Sequence, residues 1–485
     1  ATFSKTQFLE AHRTLLFPKC KMAAAVAPAA FAVVSPEDLE FDDGGMTDKG
    51  AVDAFKGLLT FPTVSSTGHL DGANRSCVDF LEGIAKRIGL KTTVLDGPRE
   101  GGTQPVLVAE WTGTDPKAPA VLLNAHYDVV PVIEEFWTKP AFAAHTEVVD
   151  GEERIYGRGA QDMKLVPIQY LVAISRLVAG GATPSATVFL SFVPDEEVGG
   201  AGMAWFLRSE YYKEVMESKI GCAFDEGIAS VEDTFTAFYG ERTPWWVLVE
   251  ANGPTGHGSR FIQGTATHAL HAFCARALAF RKNEEEKLNA PDHHRHGRCD
   301  HAKHHKLGDV TTVNLTMLKA GVSMDGGKTY AINVIPTNAE AGFDIRIPVT
   351  MPHATLSDTL TTWCREAEAE VAAAEGTLSW SFAPYGGEPL HEHHTTSVNP
   401  DESEYFKAFQ RAVEGDLGIK LTTEVFPAAT DSRFLRALKI PCFGFSPMRK
   451  CPVLLHEHDE YLPTSTFIEG PAVYVAILRR VLLLA

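Results

Sequence analysis

The sequence predicts an α/β domain, with strands alternating with helices, interrupted by a smaller α+β domain. Short apolar segments recur between stretches of helical periodicity up to about residue 240, and the pattern then shifts before it resumes near the end of the chain. At 485 residues the chain is also too long for a single domain of roughly 100–200 residues.

In chain order, residues 1–45 read as a leader, expected to be flexible. Lys19 and Lys21 precede an Ala/Val-rich run over 23–34 that Pro28 interrupts. The run is too short to span a bilayer, and its basic lead-in is unusually long for a signal peptide, so a flexible leader is expected, with a signal or transit segment as the alternative. Residues 46–240 form the first part of the larger domain. Helices are predicted over 48–59, over 75–88 with Gly89 ending the turn, and over 163–178 up to Gly180-Gly181. Strands are predicted at 106–109, 121–125, 187–193 and 221–224. Residues 241–385 form the inserted domain, with strands at 245–250, 310–318 and 339–347 and helices over about 265–287 and 356–374. Residues 386–485 complete the larger domain through 403–413, 443–445 and a closing helix near 467–483.

With 62 acidic and 44 basic side chains the formal charge is −18, and no long basic run offers a nucleic-acid groove. No later uncharged apolar stretch is long enough for a membrane span. The 8 Cys are dispersed without a CxxC pair, which argues against both a thiolate metal site and a disulfide scaffold and favours reduced thiols in the cytoplasm. The sequons at Asn74 and Asn314 matter only on a secreted chain.

Chemistry concentrates where predicted strands end. His126 and Asp128 follow the strand 121–125 two residues apart, so in extended chain they share a side, and Asp128 can hold one imidazole nitrogen while the other binds a metal. Asp162 follows Gly157 and Gly159 at the start of a helix, where an Asp also serves simply as a cap. The strand 187–193 runs into Asp195-Glu196-Glu197 and two glycines. Three adjacent carboxylates repel one another unless they are solvated or share cations or protons. Asp225-Glu226 repeats the pattern, and His456-Glu457-His458-Asp459-Glu460 follows a last apolar run. Thus His126, Asp162, Glu197, Glu226 and His456 offer a mixed N/O ligand set for two divalent cations, which suits zinc better than magnesium. His293, His294, His296, His301, His304 and His305 draw the eye first, but they lack apolar packing positions and read as an exposed loop. Gly444-Phe445-Ser446-Pro447 is not a nucleophile elbow.

Taken together and in order, LLNAHYDVVPV, YGRGAQDMK, SFVPDEEVGG, FDEGIAS, GPTGHGSRF, AATDSRF, GFSPM and LLHEHDE extend over about 46–483. They closely resemble the aminoacylase branch of the M20 family of zinc amidohydrolases. The resemblance implies a zinc-peptidase-like catalytic domain with a mixed central sheet and an inserted α+β lid that also mediates dimerisation. It implies two zinc ions per subunit: His126 and Glu226 complete one site, Glu197 and His456 the other, and Asp162 bridges them. Asp128 would orient His126, and the Asp162-Met163 peptide would be cis. Glu196 would move the proton, from the attacking water to the departing amine.

From the lid, the resemblance implies that His257 reaches the active site of a partner subunit and stabilises the oxyanion. Asn314 and Arg346 would bind the polar end of the substrate, an α-carboxylate giving Arg346 a bidentate partner. Thr430, Asp431 and Arg433 would line the pocket. The implied reaction is hydrolysis of N-acyl-L-amino acids by a homodimer. A dipeptidase or carboxypeptidase of the same family is the alternative, and a catalytically silent binding protein the alternative of a different class. The leader, the His-rich insertion and the segment 323–329 lengthen the family pattern without removing a proposed ligand.

Overall fold

The computed structural model describes residues 34–289, 306–372, 376–384 and 392–483. The His-rich segment and the first part of the leader lie outside them. An eight-stranded sheet forms the centre of the larger domain. Its strands are β1 (Lys91–Arg99), β2 (Gly102–Trp111), β3 (Ala120–His126), β6 (Val188–Val193), β7 (Ile220–Asp225), β8 (Thr234–Glu241), β15 (Lys420–Phe426) and β16 (Cys442–Gly444), in the order β15-β8-β16-β7-β3-β6-β2-β1. Four adjacent strands, β16, β7, β3 and β6, are mutually parallel, and β8 and β2 run antiparallel on either side of them, so the sheet is mixed. A smaller three-stranded sheet joins β4 (His145–Val149), β5 (Glu152–Tyr156) and β17 (Tyr461–Pro463).

Parallel strands require cover on both faces, and β3 and β6 are accordingly buried along their whole length. One face packs against α1 (Asp48–Leu59), α2 (Ala73–Ile88), α3 (Leu165–Ala179), α7 (Glu404–Gln410) and α9 (Thr464–Val481). Thr47 caps α1, accepting from the Gly50 amide at 3.1 Å. The other face carries α4 (Ala201–Phe206), α8 (Ser432–Ala437) and the side chains of Tyr212 and Met216.

A separate core is built from residues between Trp245 and Leu378. Here β9 (Thr243–Asn252), β11 (Thr312–Ala320), β13 (Asn338–Ile347) and β14 (Thr377–Phe382) form an antiparallel sheet in the order β11-β13-β9-β14. Alternation along β9 turns Trp245, Val247, Val249 and Ala251 inward, onto α5 (Ala266–Asn289) and α6 (His353–Glu370). The opposite face bears Asp344 and Arg346. A two-stranded ribbon, β10 (Gly256–His257) with β12 (Val334–Ile335), stands apart from this sheet.

One expectation changes. The leader does not stay loose up to residue 45, because Leu39 is buried in the main core and Arg87 donates to the carbonyls of Pro36 and Glu37. Asn74 lies buried on α2 with its amide bonded to Gln104, so its sequon offers no acceptor surface. Six cysteines among the described residues are free and buried. Among those residues no helix is long and apolar enough to cross a membrane.

Candidate metal centre and active site

Three adjacent parallel strands end together. β3 delivers His126, β6 runs into the turn at Asp195-Glu196-Glu197, and β7 is followed by Glu226. Asp162 precedes α3, and the Asp162-Met163 peptide is cis. His456 comes from the segment before β17. His126 Nε2 lies 3.0 Å from Asp162 Oδ1 and 2.9 Å from Glu226 Oε2. His456 Nε2 lies 3.3 Å from Asp162 Oδ2 and 3.0 Å from Glu197 Oε2. Each Asp162 oxygen therefore serves one imidazole. This is the geometry of a bridging carboxylate between two cation sites.

The donor set fits two divalent metal ions for a specific reason. His126 Nδ1 is 3.0 Å from the Asp128 carbonyl and must donate to it, so in the neutral ring Nε2 presents a lone pair. That lone pair converges with two carboxylate oxygens inside a nearly dry site: His126 is 1% exposed and Glu226 5%. A cation removes this repulsion and uses every donor. Glu197 Oε1 is likewise buried without a hydrogen-bond partner.

The protonation behaviour of the set reflects the same crowding. Burial, followed by the charge of Glu226, pushes the Glu196 carboxyl well above its usual range. Burial and Asp162 raise Glu197 to about 7. For His126, burial acts downward but is outweighed by the hydrogen bonds with Asp128, Asp162 and Glu226, which hold it well above the imidazole range. His456 is raised to about 10 by its bonds with Asp162 and Glu197.

Asp128 works differently from the expected imidazole clamp. Its carboxylate oxygen is 3.6 Å from His126 Nδ1, beyond a good hydrogen bond, and the bond comes instead from its own main-chain carbonyl. The carboxylate accepts from the Glu196 and Glu197 amides at 3.1 and 3.3 Å and from the Ser65 hydroxyl at 2.8 Å. Asp128 thus fixes the acidic turn as well as the histidine. A Glu196 oxygen lies within 4.8 Å of the donor atoms of His126 and Glu226, beside the first cation site.

The loop bearing Thr430, Asp431 and Arg433 packs on this turn, and all three are buried. Gly200 permits the approach. With φ of +71° it occupies the left-handed region, and a Cβ there would meet Phe434, Asp431 and Arg433 at 2.5–2.8 Å. Arg433 Nη1 donates to the Thr430 carbonyl at 2.6 Å. Both Asp431 oxygens are buried without hydrogen-bond partners, and burial, then Asp225, holds its carboxyl well above the usual range.

The lid residues are elsewhere. His257 stands exposed on the β10–β12 ribbon, its Nδ1 2.8 Å from Ser259 Oγ. Asn314 Oδ1 accepts from Arg281 at 3.2 Å. Arg346 gives Nε and Nη2 to Asp344 at 2.6 and 2.9 Å. Asn314 and Arg346 lie on neighbouring strands, opposite Asp344 and Thr312. Asn333, which sequence reasoning passed over, adjoins His257, because its carbonyl accepts from the Gly258 amide at 2.8 Å.

Sequence reasoning also missed the supports of Asp162. Glu460 is fully buried, paired with Arg158 at 2.7 Å, and accepts from the amides of Gly159, Gln161 and Asp162. Buried Lys164 donates to the carbonyls of Leu58 and Phe61. Apart from one more acid in an acidic motif, no local signal marks Glu460.

A buried bridging aspartate between two His/Glu sets, at the ends of parallel strands in a mixed sheet, defines a dinuclear metallohydrolase. Residues 122–480 match Peptidase family M20/M25/M40. The chain belongs to this family and, within it, to the aminoacylase-1 group of metal-dependent amidohydrolases. It is 41% identical over 414 residues to aminoacylase-1 of Dictyostelium discoideum, covering 85% of this chain and 93% of that one. To human aminoacylase-1 it is 38% identical over 443 residues, 89% of this chain and 97% of the other. Among solved structures, an M20 family metallo-carboxypeptidase from Sulfolobus solfataricus shares the fold with a TM-score of 0.64 at 17% identity, covering 89% and 99% of the two chains. A dinuclear metal-binding M20 peptidase from Bacillus subtilis gives 0.58 at 16% identity, covering 89% and 98%.

Proposed function

We propose that the protein is a dizinc enzyme that hydrolyses N-acyl-L-amino acids to a carboxylate and a free amino acid, with Glu196 as its catalytic base. The observation that carries this reading is the bridging geometry of Asp162, with a Glu196 oxygen beside the His126–Glu226 pair. His126, Glu226 and Asp162 would hold one ion; Asp162, Glu197 and His456 the other. Bound there, zinc acts as a Lewis acid that favours ionisation of water and polarises the amide carbonyl. Glu196, held by its amide against Asp128, accepts the proton of the attacking water and returns it to the departing amine nitrogen.

His257 then serves a second copy of the chain, donating to the developing oxyanion, with Asn314 and Arg346 holding the substrate's polar end and Thr430, Asp431 and Arg433 shaping the pocket. Support for a lid-mediated homodimer comes from exposed apolar side chains on the same domain as His257: Phe261, Met324 and Ile332 are 101%, 96% and 91% exposed. The buried free thiols fit a cytoplasmic enzyme.

The test is a substrate panel on protein loaded with zinc, compared with chelated protein. Turnover of neutral N-acetyl amino acids that chelation abolishes and zinc restores is the expected result. Efficient cleavage of free dipeptides without deacylation would transfer the assignment to a dipeptidase, the activity named in the human carnosine dipeptidase 1 structure, which shares this fold at a TM-score of 0.63 and 16% identity over 90% of this chain and 96% of that one.

A further inference from the structure

The chain crosses between its two domains twice. The outgoing crossing is residues 241–243, between β8 and β9. On the return, Thr396 rejoins the catalytic domain, its amide donating to the Tyr239 carbonyl at 2.7 Å and its hydroxyl to the Cys442 carbonyl at 2.9 Å. Three residues earlier, His393 still belongs to the lid side. Its Nε2 is 3.0 Å from the Met351 carbonyl, just ahead of α6, and its Nδ1 is 3.3 Å from the Thr243 hydroxyl at the start of β9. A carbonyl only accepts, so Nε2 carries the proton and Nδ1 accepts from Thr243. The ring lies 4.1 Å, centroid to centroid, from His353, the first residue of α6. His353 in turn packs on Trp245 of β9 at 5.3 Å.

We propose that His393 is a positioning residue for hydrolysis: a neutral imidazole clasp that ties the outgoing crossing, the start of α6 and the return segment into one hinge, and that protonation loosens. The proposal rests on the reading that lid side chains take part in the reaction. A second proton would sit on Nδ1, so the Thr243 hydroxyl could no longer donate to it. The new positive charge would also lie against a second imidazole.

The other charged groups around the ring fit this behaviour. From the outgoing crossing, Glu241 is committed to Arg436 at 2.6 Å and to the Thr430 amide, and Arg242 is a buried guanidinium bonded to the Pro427 and Val310 carbonyls and to Thr312 Oγ1. Arg242 lines a narrow cavity with His393, together with Arg433 from α8 and with Glu392 and His394 from the return segment. Arg433 thereby connects the hinge to the loop that packs on the acidic turn. Burial, followed by the charge of His394, depresses His393 below the usual imidazole range, against the upward pull of the Met351 carbonyl.

The folded-state pKa lies below the unfolded value of about 6.5, so the unfolded chain takes up the proton first as pH falls. The clasp's contribution is complete above that value and is lost on descending through the folded pKa.

The test uses the full-length, metal-loaded protein and two variants. His393→Gln keeps a donor for Met351 and an acceptor for Thr243 but does not titrate; His393→Ala loses both bonds. Two readouts are followed from about pH 5 to 8: kcat and kcat/KM on an N-acetyl amino acid, and hydrogen exchange of peptides covering 241–250 and 349–356, corrected for intrinsic rates. At pH 8, His393→Gln should stay within about twofold of wild type, while His393→Ala should lose about tenfold in kcat. Below about pH 6, wild-type exchange at the hinge should rise and its activity should fall several-fold more steeply than in His393→Gln. Superimposable profiles and exchange curves for wild type and His393→Gln would overturn the proposal, as would an alanine variant with wild-type kcat. The exchange readout decides the matter even if N-acyl amino acids prove not to be the substrate.

Discussion

His126 in the catalytic domain is 1% exposed and bonded on both ring nitrogens, whereas His257 in the lid stands on an exposed two-stranded ribbon with Ser259 for company. The same contrast runs through the two regions. Asp162 is held by a carboxylate, Glu460, that collects three consecutive-loop amides and a buried arginine. Arg346 meets a neighbour two residues away on its own strand. The catalytic domain thus supports its ligands with long-range buried bonds, so their geometry exists before any substrate arrives. The lid's groups are exposed or partly exposed, and in the proposed function they would complete a site only when a second chain is brought against them.

This contrast makes the effects of substitution unequal. The largest expected loss is at Glu196: Glu196→Gln should lower kcat by about 10³. Metal content should stay at two ions per chain by elemental analysis, because the amide keeps its shape and the turn is held through main-chain bonds to Asp128. A variant that is as active as wild type would remove Glu196 from the reaction; one that loses an ion would make it a ligand.

Next comes His257. Its replacement by Ala should cost about 10² in kcat if it is an oxyanion donor, with an unchanged melting temperature, since it packs into no core. Mixing this variant with Glu196→Gln should restore about a quarter of wild-type activity if each site combines residues of two chains, as random pairing of the two subunits yields half heterodimers with one intact site each. No recovery on mixing, with subunit exchange verified, would place His257 outside the partner's site.

The same contrast explains what was legible in the sequence. Ligands lie at the ends of apolar strands, so period and position expose them: β3, β6 and β7 fall within a residue or two of their expected limits, and α1 spans 48–59 as predicted because Thr47 marks its start. The edge strands β1 and β15, and β8 next to β15, escaped because their mixed polar and apolar alternation resembles loop sequence until a neighbour pairs with them. Supports such as Arg158–Glu460 join residues 302 apart, and no local pattern records which acid meets which base across that distance. Asp128 was assigned to the imidazole from a two-residue spacing, whereas its carboxylate binds amides contributed by another strand's turn. The lid residues came from ordered motifs and not from patterning, and their exposure shows why: nothing in their packing distinguishes them from other polar surface.

Glu460 tests the supporting network itself. Glu460→Gln keeps an acceptor for the amides but leaves the buried Arg158 without its counter-charge, which should weaken metal binding by about 10-fold to 100-fold while kcat of the fully loaded enzyme changes little. Competition with a chelator measures the affinity. Unchanged retention would mean that the Asp162 loop is rigid without this carboxylate.

The smallest effect is expected at Arg346, for a reason that lies in the lid. Its guanidinium is already paired with Asp344 through two bonds, at 2.6 and 2.9 Å, on a partly exposed sheet face. A substrate carboxylate must share or displace Asp344, so its net gain is the difference between two similar charge-assisted pairs. Lysine keeps the charge and loses the fork. Arg346→Lys should therefore raise KM for an N-acetyl amino acid by about tenfold and leave kcat nearly constant, while KM for the corresponding carboxamide stays as it was. Equal changes for the acid and the carboxamide would show that Arg346 acts on lid structure and not on the carboxylate.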